Sequence, residues 1–173
     1  MTPQNQRQPP KQRVIRKKKI RWGRLILWSL LLIFMVMQFF QPDKNNNSVL
    51  LSNDISAVVA VPDNVNRILY AACYDCHSNN TEYPWYTNIQ PLGWWMNSHI
   101  KDGKRHLNFN EFAAYTTERK KEKLEEIAKS LREGWMPIQS YTWMHKDAKL
   151  TDAQKKIVID WADGARKSVA SLH

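Results

Sequence analysis

Apolar positions along this chain form one unbroken run and several periodic stripes. The run is LILWSLLLIFMVMQFF, Leu25–Phe40, in which only Ser29 and Gln38 are polar and nothing is charged. A helix apolar on every face has no polar side to show to water, so a surface helix of a soluble domain is a poor account of it. Trp22 and Gly23 extend the run backwards, and Arg21 and Arg24 can snorkel towards headgroups. Crossing roughly 30 Å of hydrocarbon takes about 20 residues, and this span is just long enough. The pattern therefore predicts a transmembrane signal anchor at residues 25–40. A cleaved signal peptide is the alternative. It fits less well, because the apolar stretch exceeds the usual length and no A-x-A-like site follows in QFFQPDKNNN.

Residues 41–60 begin with QPDKNNNSVLLSND, which shows little periodicity and reads as a linker. From residue 61 onwards the apolar positions recur at helical spacing. Val65, Ile68, Leu69 and Ala72 make one stripe, in a helix opened by Pro62 and Asp63. Residues 78–91, between two helical stretches, contain Pro84 and Pro91 and read as loop. LGWWMNSHIKDG predicts a short helix ending near Gly103. The stretch 110–134 is helical over much of its length, with Leu124, Ile127, Ala128 and Leu131 as its inner face and Gly134 as its stop. A loop follows, and then a last helix opened by a capping box, Thr151 with Gln154, with Ile157, Val158, Trp161 and Ala165 facing inward. No stretch alternates as a strand does, so the class is all-α: a small helical domain, residues 61–173, behind one N-terminal transmembrane helix.

Charge first suggests a nucleic-acid binder, since 26 basic against 16 acidic residues give a net +10. Nine of those basic residues and no acid lie in residues 1–24. The remainder of the chain is therefore near neutral, and the excess belongs to a basic tail. A tail of that sign before an apolar run is the cytoplasmic flank of a membrane segment. The expectation is a single-pass protein of the bacterial cytoplasmic membrane, its N-terminus cytoplasmic and its domain periplasmic. The lipid bilayer is then a partner through residues 22–40, and nucleic acid is not.

The only cysteines, Cys73 and Cys76, stand in CYDCH with His77 directly after them. In an exported segment a C-x-x-C-H run reads as the attachment site of a c-type haem. Positions i and i+3 share a helix face, so both thiols can reach one porphyrin edge, and the next histidine can ligate the iron. Zinc is weaker, because a structural site wants four ligands and the remaining histidines, His99, His106, His145 and His173, lack metal spacing. A redox-active thiol pair would sit in a βαβ setting, and none is visible. Candidates for the other face of the iron are Met96, Met136, Met144, His99, His106 and His145. Six tryptophans after Ala60 are many for so small a domain, and they suit either a plain core or a large flat cofactor.

CYDCH, then GWMP with Met136 59 positions after His77, then the capped last helix, follow one another in the order found in class I c-type cytochromes, which this chain resembles. More closely it resembles the haem-binding domain family of membrane-anchored bacterial proteins. The residues that carry the likeness are Cys73–Asn79, Pro84–Tyr86, His106–Phe109, Met136 with Pro137, and Tyr141–His145. The resemblance implies covalent haem on Cys73 and Cys76, His77 as proximal ligand, and Met136 as distal ligand with Met144 second. Trp85, Tyr86, Trp135, Pro137 and Tyr141 are the candidate pocket residues.

The expected function is that of a membrane-tethered monohaem c-type protein. It would hold one haem c and pass electrons to redox partner proteins at the membrane. Nothing in the sequence looks like a substrate-handling site, so the expectation includes no enzyme activity and no small-molecule substrate. A haem-based sensor with an exchangeable sixth position is the alternative. A thiol–disulfide oxidoreductase comes after it.

Overall fold

The computed structural model describes residues 21–47 and 50–170. Most of the basic tail, residues 1–20, lies outside them. The chain divides after Val36 into two units. The first contains all but the last residue of the apolar helix α1, Trp22–Met37, whose side chains are exposed almost throughout. Its sixteen residues rise about 24 Å at 1.5 Å per residue. Among the described residues no helix is long and apolar enough to cross a membrane.

The second unit is helical, and among the described residues it has no strand, only an isolated antiparallel bridge between Asn46 and Asn80. Its helices are α2 (Asp63–Ala72), α3 (Tyr74–His77), α4 (Leu92–His106), α5 (Thr117–Glu133), α6 (Gln139–Met144) and α7 (Asp152–Ala170). α5 and α7 form the main antiparallel pair. Leu124, Ile127, Ala128 and Leu131 are buried on one, and Val158, Ala162, Ala165 and Val169 on the other. Arg132 pairs with Asp163 and Arg166 with Glu125 across the outer seam. α2 packs its stripe of Val65, Ile68, Leu69 and Ala72 against α7 and so closes the core.

The helix ends follow local chemistry. Gly134 takes φ 75° after α5, the left-handed conformation that glycine adopts without a Cβ penalty, and its N–H bonds Ser130. Thr151 and Gln154 make the expected reciprocal cap at the start of α7, at 2.8 and 3.2 Å.

Three elements differ from the sequence reading. α4 runs through Gly103 to His106, because an interior glycine weakens a helix without ending one. The stretch 110–134 is broken: residues 109–114 form a 3-10 turn, and α5 starts only after Thr116, whose hydroxyl caps Arg119 N–H. Residues 41–60 are no loose linker. Ile55, in a 3-10 turn capped by Asp54, and Val59, two residues past the end of that turn, are buried in the core, and Asn45 is buried too. Asn45 Nδ2 donates to Ser78 O and Thr81 Oγ1, both at 2.9 Å, and so fastens this segment to the domain.

Candidate haem site

α2 ends at Ala72, and Cys73 caps it with its N–H on Leu69 O at 2.8 Å. The next turn, α3, is closed by Cys76 and His77 N–H groups on Cys73 O, at 3.2 and 2.9 Å. Both thiols are free and partly buried. Burial pushes Cys73 up to about 12, with the adjacent Cys76 adding to the effect. Burial raises Cys76 to about 12 as well, and the Asp75 carboxylate adds to it.

His77 is held from behind. Its Nδ1 lies 3.0 Å from the carbonyl of Leu107, which caps α4. A carbonyl can only accept, so Nδ1 carries the proton and Nε2 keeps its lone pair for a metal. Burial also lowers the pKa of this imidazole and favours the neutral, ligating form. α4 comes close enough to do this because residue 103 is glycine: a Cβ there would stand 2.6 Å from Cys76 O.

Cys73, Cys76 and His77 open onto a cavity of about 670 Å³, within the range of small-molecule and cofactor sites. His99, Gly103 and His106 of α4 border it, with Phe109, and with Ile127 and Leu131 of α5. The loop after α5 brings Trp135, Met136 and Pro137 to the same space. This donor set fits a haem: two thiols and a neutral imidazole from one turn, apolar walls, and a thioether among the lining residues. Cys73 and Cys76 would hold the porphyrin edge, and His77 would face the iron.

Other candidates lie elsewhere. Tyr141, Met144 and His145 line a separate cavity of about 330 Å³ together with Tyr70, Tyr74 and Asp75. Asp75 sits between the cysteines in sequence, but on a helical turn it points away from the face that positions 73 and 76 share. Tyr141 Oη donates to its Oδ2 at 2.5 Å, and this draws α6 to the back of the turn. Tyr86 is buried with its hydroxyl 3.3 Å from His145 Nε2, and Trp85 is 73% exposed. None of Trp85, Tyr86 and Tyr141 lines the larger cavity, and Met96 is core.

The residues that sequence reasoning missed are the polar ones that fix the motif. Asn79 N–H donates to Asn110 Oδ1 at 2.8 Å, and Asn108 Nδ2 donates to Asn79 Oδ1 at 2.9 Å. Asn110 Nδ2 donates to Asp54 at 2.8 Å, and Asn45 Nδ2 to Ser78 O at 2.9 Å. Asparagines scattered over three segments show no period, so only the unusual density of Asn after His77 and around Phe109 hinted at this.

An all-helical domain that turns a C-x-x-C-H triplet into an apolar cavity defines a small haem-binding protein. The chain belongs to the haem-binding domain family, whose model matches residues 32–164. No curated protein and no solved structure matches it.

Proposed function

We propose that this is a membrane-tethered monohaem c-type cytochrome that transfers electrons and carries out no reaction on a substrate. One observation carries the proposal: Cys73, Cys76, His77 and Met136 line a single cavity, while Met144 does not. Attachment would add each thiol S–H across a vinyl double bond, forming a C–S bond and placing the hydrogen on the neighbouring carbon. Bound haem supplies a one-electron couple, and a methionine opposite histidine raises its potential. The chain's part is to orient His77 through Leu107, to exclude water with the α4 and α5 side chains, and to present Met136. The apolar segment Trp22–Phe40, with its exposed side chains, supports tethering at the outer face of the cytoplasmic membrane.

The test is an absorption spectrum of the protein made in cells that mature c-type cytochromes, with a haem stain after denaturation. Covalent haem and a weak near-infrared methionine–iron band that vanishes in Met136→Ala are the expected results. Retention of the band in that variant would remove Met136 from the site, and a colourless protein would overturn the reading. His99 and His106 at the same cavity favour a second reading, an exchangeable sixth position. Rapid and complete carbon monoxide binding by the reduced protein would select it.

A thiol–disulfide enzyme needs a depressed thiol pKa, whereas burial raises both of these. In the haem-free chain at pH 8, alkylation of Cys73 and Cys76 should be slower than that of an ordinary cysteine by on the order of a hundredfold or more. Alkylation at the ordinary rate, followed by mass spectrometry, would return the thiol reading to first place.

A further inference from the structure

Tyr83–Ile100 is eighteen residues without an Asp, Glu, Lys or Arg, in a chain that is 24% charged. Several of its apolar side chains are turned outward: Trp85, Ile89, Leu92 at 45%, Trp94 and Trp95 are all exposed. They surround the corner where a 3-10 turn, Trp85–Asn88, enters α4.

The same corner holds the residues that follow α1. Gln38 pairs with the backbone of Gln90 in both directions, accepting from its N–H at 2.9 Å and donating to its carbonyl at 3.2 Å. Gln41 donates to Asn88 O at 3.1 Å and accepts from Gln90 Nε2 at 2.8 Å. Trp94 Nε1 donates to Phe40 O at 2.7 Å. Gln90 itself is fully buried and its Oε1 caps Trp94 N–H at 2.9 Å, so the corner is built around it. Gly93 must be small here, since a Cβ would stand 2.3 Å from Thr87 O. The apolar run thus ends at this corner, with Phe40 held by Trp94 and Phe39 84% exposed.

Tryptophan and tyrosine with an apolar body and a polar tip are enriched where hydrocarbon meets headgroups. A charge-free patch of them, fastened by five hydrogen bonds to the last residues of the tether, has the chemistry of such an interface. We propose that the corner around Trp85, Ile89, Leu92, Trp94 and Trp95 is a lipid-docking surface that lies against the bilayer. The proposal rests on the tether reading above and adds to it a fixed face of the domain. His99, which borders the haem cavity, lies one turn beyond Trp95 on α4, so the cavity begins roughly 6 Å along that helix from the proposed surface.

The experiment uses the full chain, one copy per nanodisc, in phosphatidylethanolamine and phosphatidylglycerol doped with a phospholipid that carries a diazirine on its acyl chain. After photolysis, mass spectrometry should find adducts on α1 and on the peptide holding residues 85–95, and none around the exposed Ile157 of α7. Leu92→Glu should lower the adduct yield at 85–95 severalfold and leave the yield on α1 unchanged. Adducts on α1 alone would mean that the corner faces water; this proposal would fall and the tether would stand. Adducts on neither segment would overturn the tether and the docking surface together. With two copies per disc, cross-links joining the two 85–95 segments, without lipid adducts there, would assign the patch to a second copy and overturn the proposal.

Discussion

Gly103→Ala should destabilise the domain by about 1–3 kcal/mol and lower its haem content, while Gly164→Ala should stabilise it by about 0.5–1 kcal/mol. Both glycines are interior to a helix, so propensity alone gives both changes the same favourable sign. Their surroundings separate them. A Cβ at 103 meets Cys76 O at 2.6 Å and Cys76 Cβ at 3.1 Å, whereas a Cβ at 164 meets nothing within 4 Å. Backbone cannot swing aside as a long side chain can, so α4 or the C-x-x-C-H turn must move. Either movement also strains the hydrogen bond from His77 Nδ1 to Leu107, four residues along α4. Urea unfolding of the two variants, with haem quantified after denaturation, reads both effects. Stabilisation in both variants would show that α4 does not press on the motif.

What the sequence made legible divides along the same physical line. The stripes of α2 and α5 were readable because burial of one face imposes a period that neighbouring residues share; on α7 Val158 and Ala165 are buried as expected, while Trp161 is only half-buried and Ile157 is exposed. The C-x-x-C-H triplet stood out because its residues are neighbours in sequence, and the structure turns all three to one cavity. Motif order names Met136, which lines the same cavity as Cys73, Cys76 and His77, whereas α6 carries Met144 with Tyr141 to a separate one. Of the aromatic pocket candidates only Trp135 lines the larger cavity, and Trp85, Tyr86 and Tyr141 do not. A tryptophan's size says that it will cover something, but only tertiary packing says what, and Trp85 meets Tyr86 edge-on and otherwise stays largely exposed. Residues 41–60 misled for a related reason: polar composition looks the same whether asparagines face water or make buried hydrogen bonds.

The buried asparagine network around the motif carries the other large effect. Asn110→Ala should cost about 3–5 kcal/mol, since two buried groups lose their partner and each unsatisfied group costs about 1–3 kcal/mol, more when charged. The groups are the Asn79 N–H, two residues beyond His77, and Asp54 Oδ2. Asn66→Ala, on an exposed position of α2, should stay within about 0.5 kcal/mol and serves as the control. The double variant Asp54→Ala/Asn110→Ala should cost less than the sum of the two single changes, because the Asp54 carboxylate is then no longer left buried without its amide partner. Additive costs would mean that the two side chains act separately. A cost below about 1 kcal/mol for Asn110→Ala would mean that water replaces the amide and the network is not closed. The expected coupling would make residues 41–60 a working part of the haem site. They hold the strand of chain after His77 in place, through Asp54 and Asn110 on one side and through Asn45 on Ser78 O on the other.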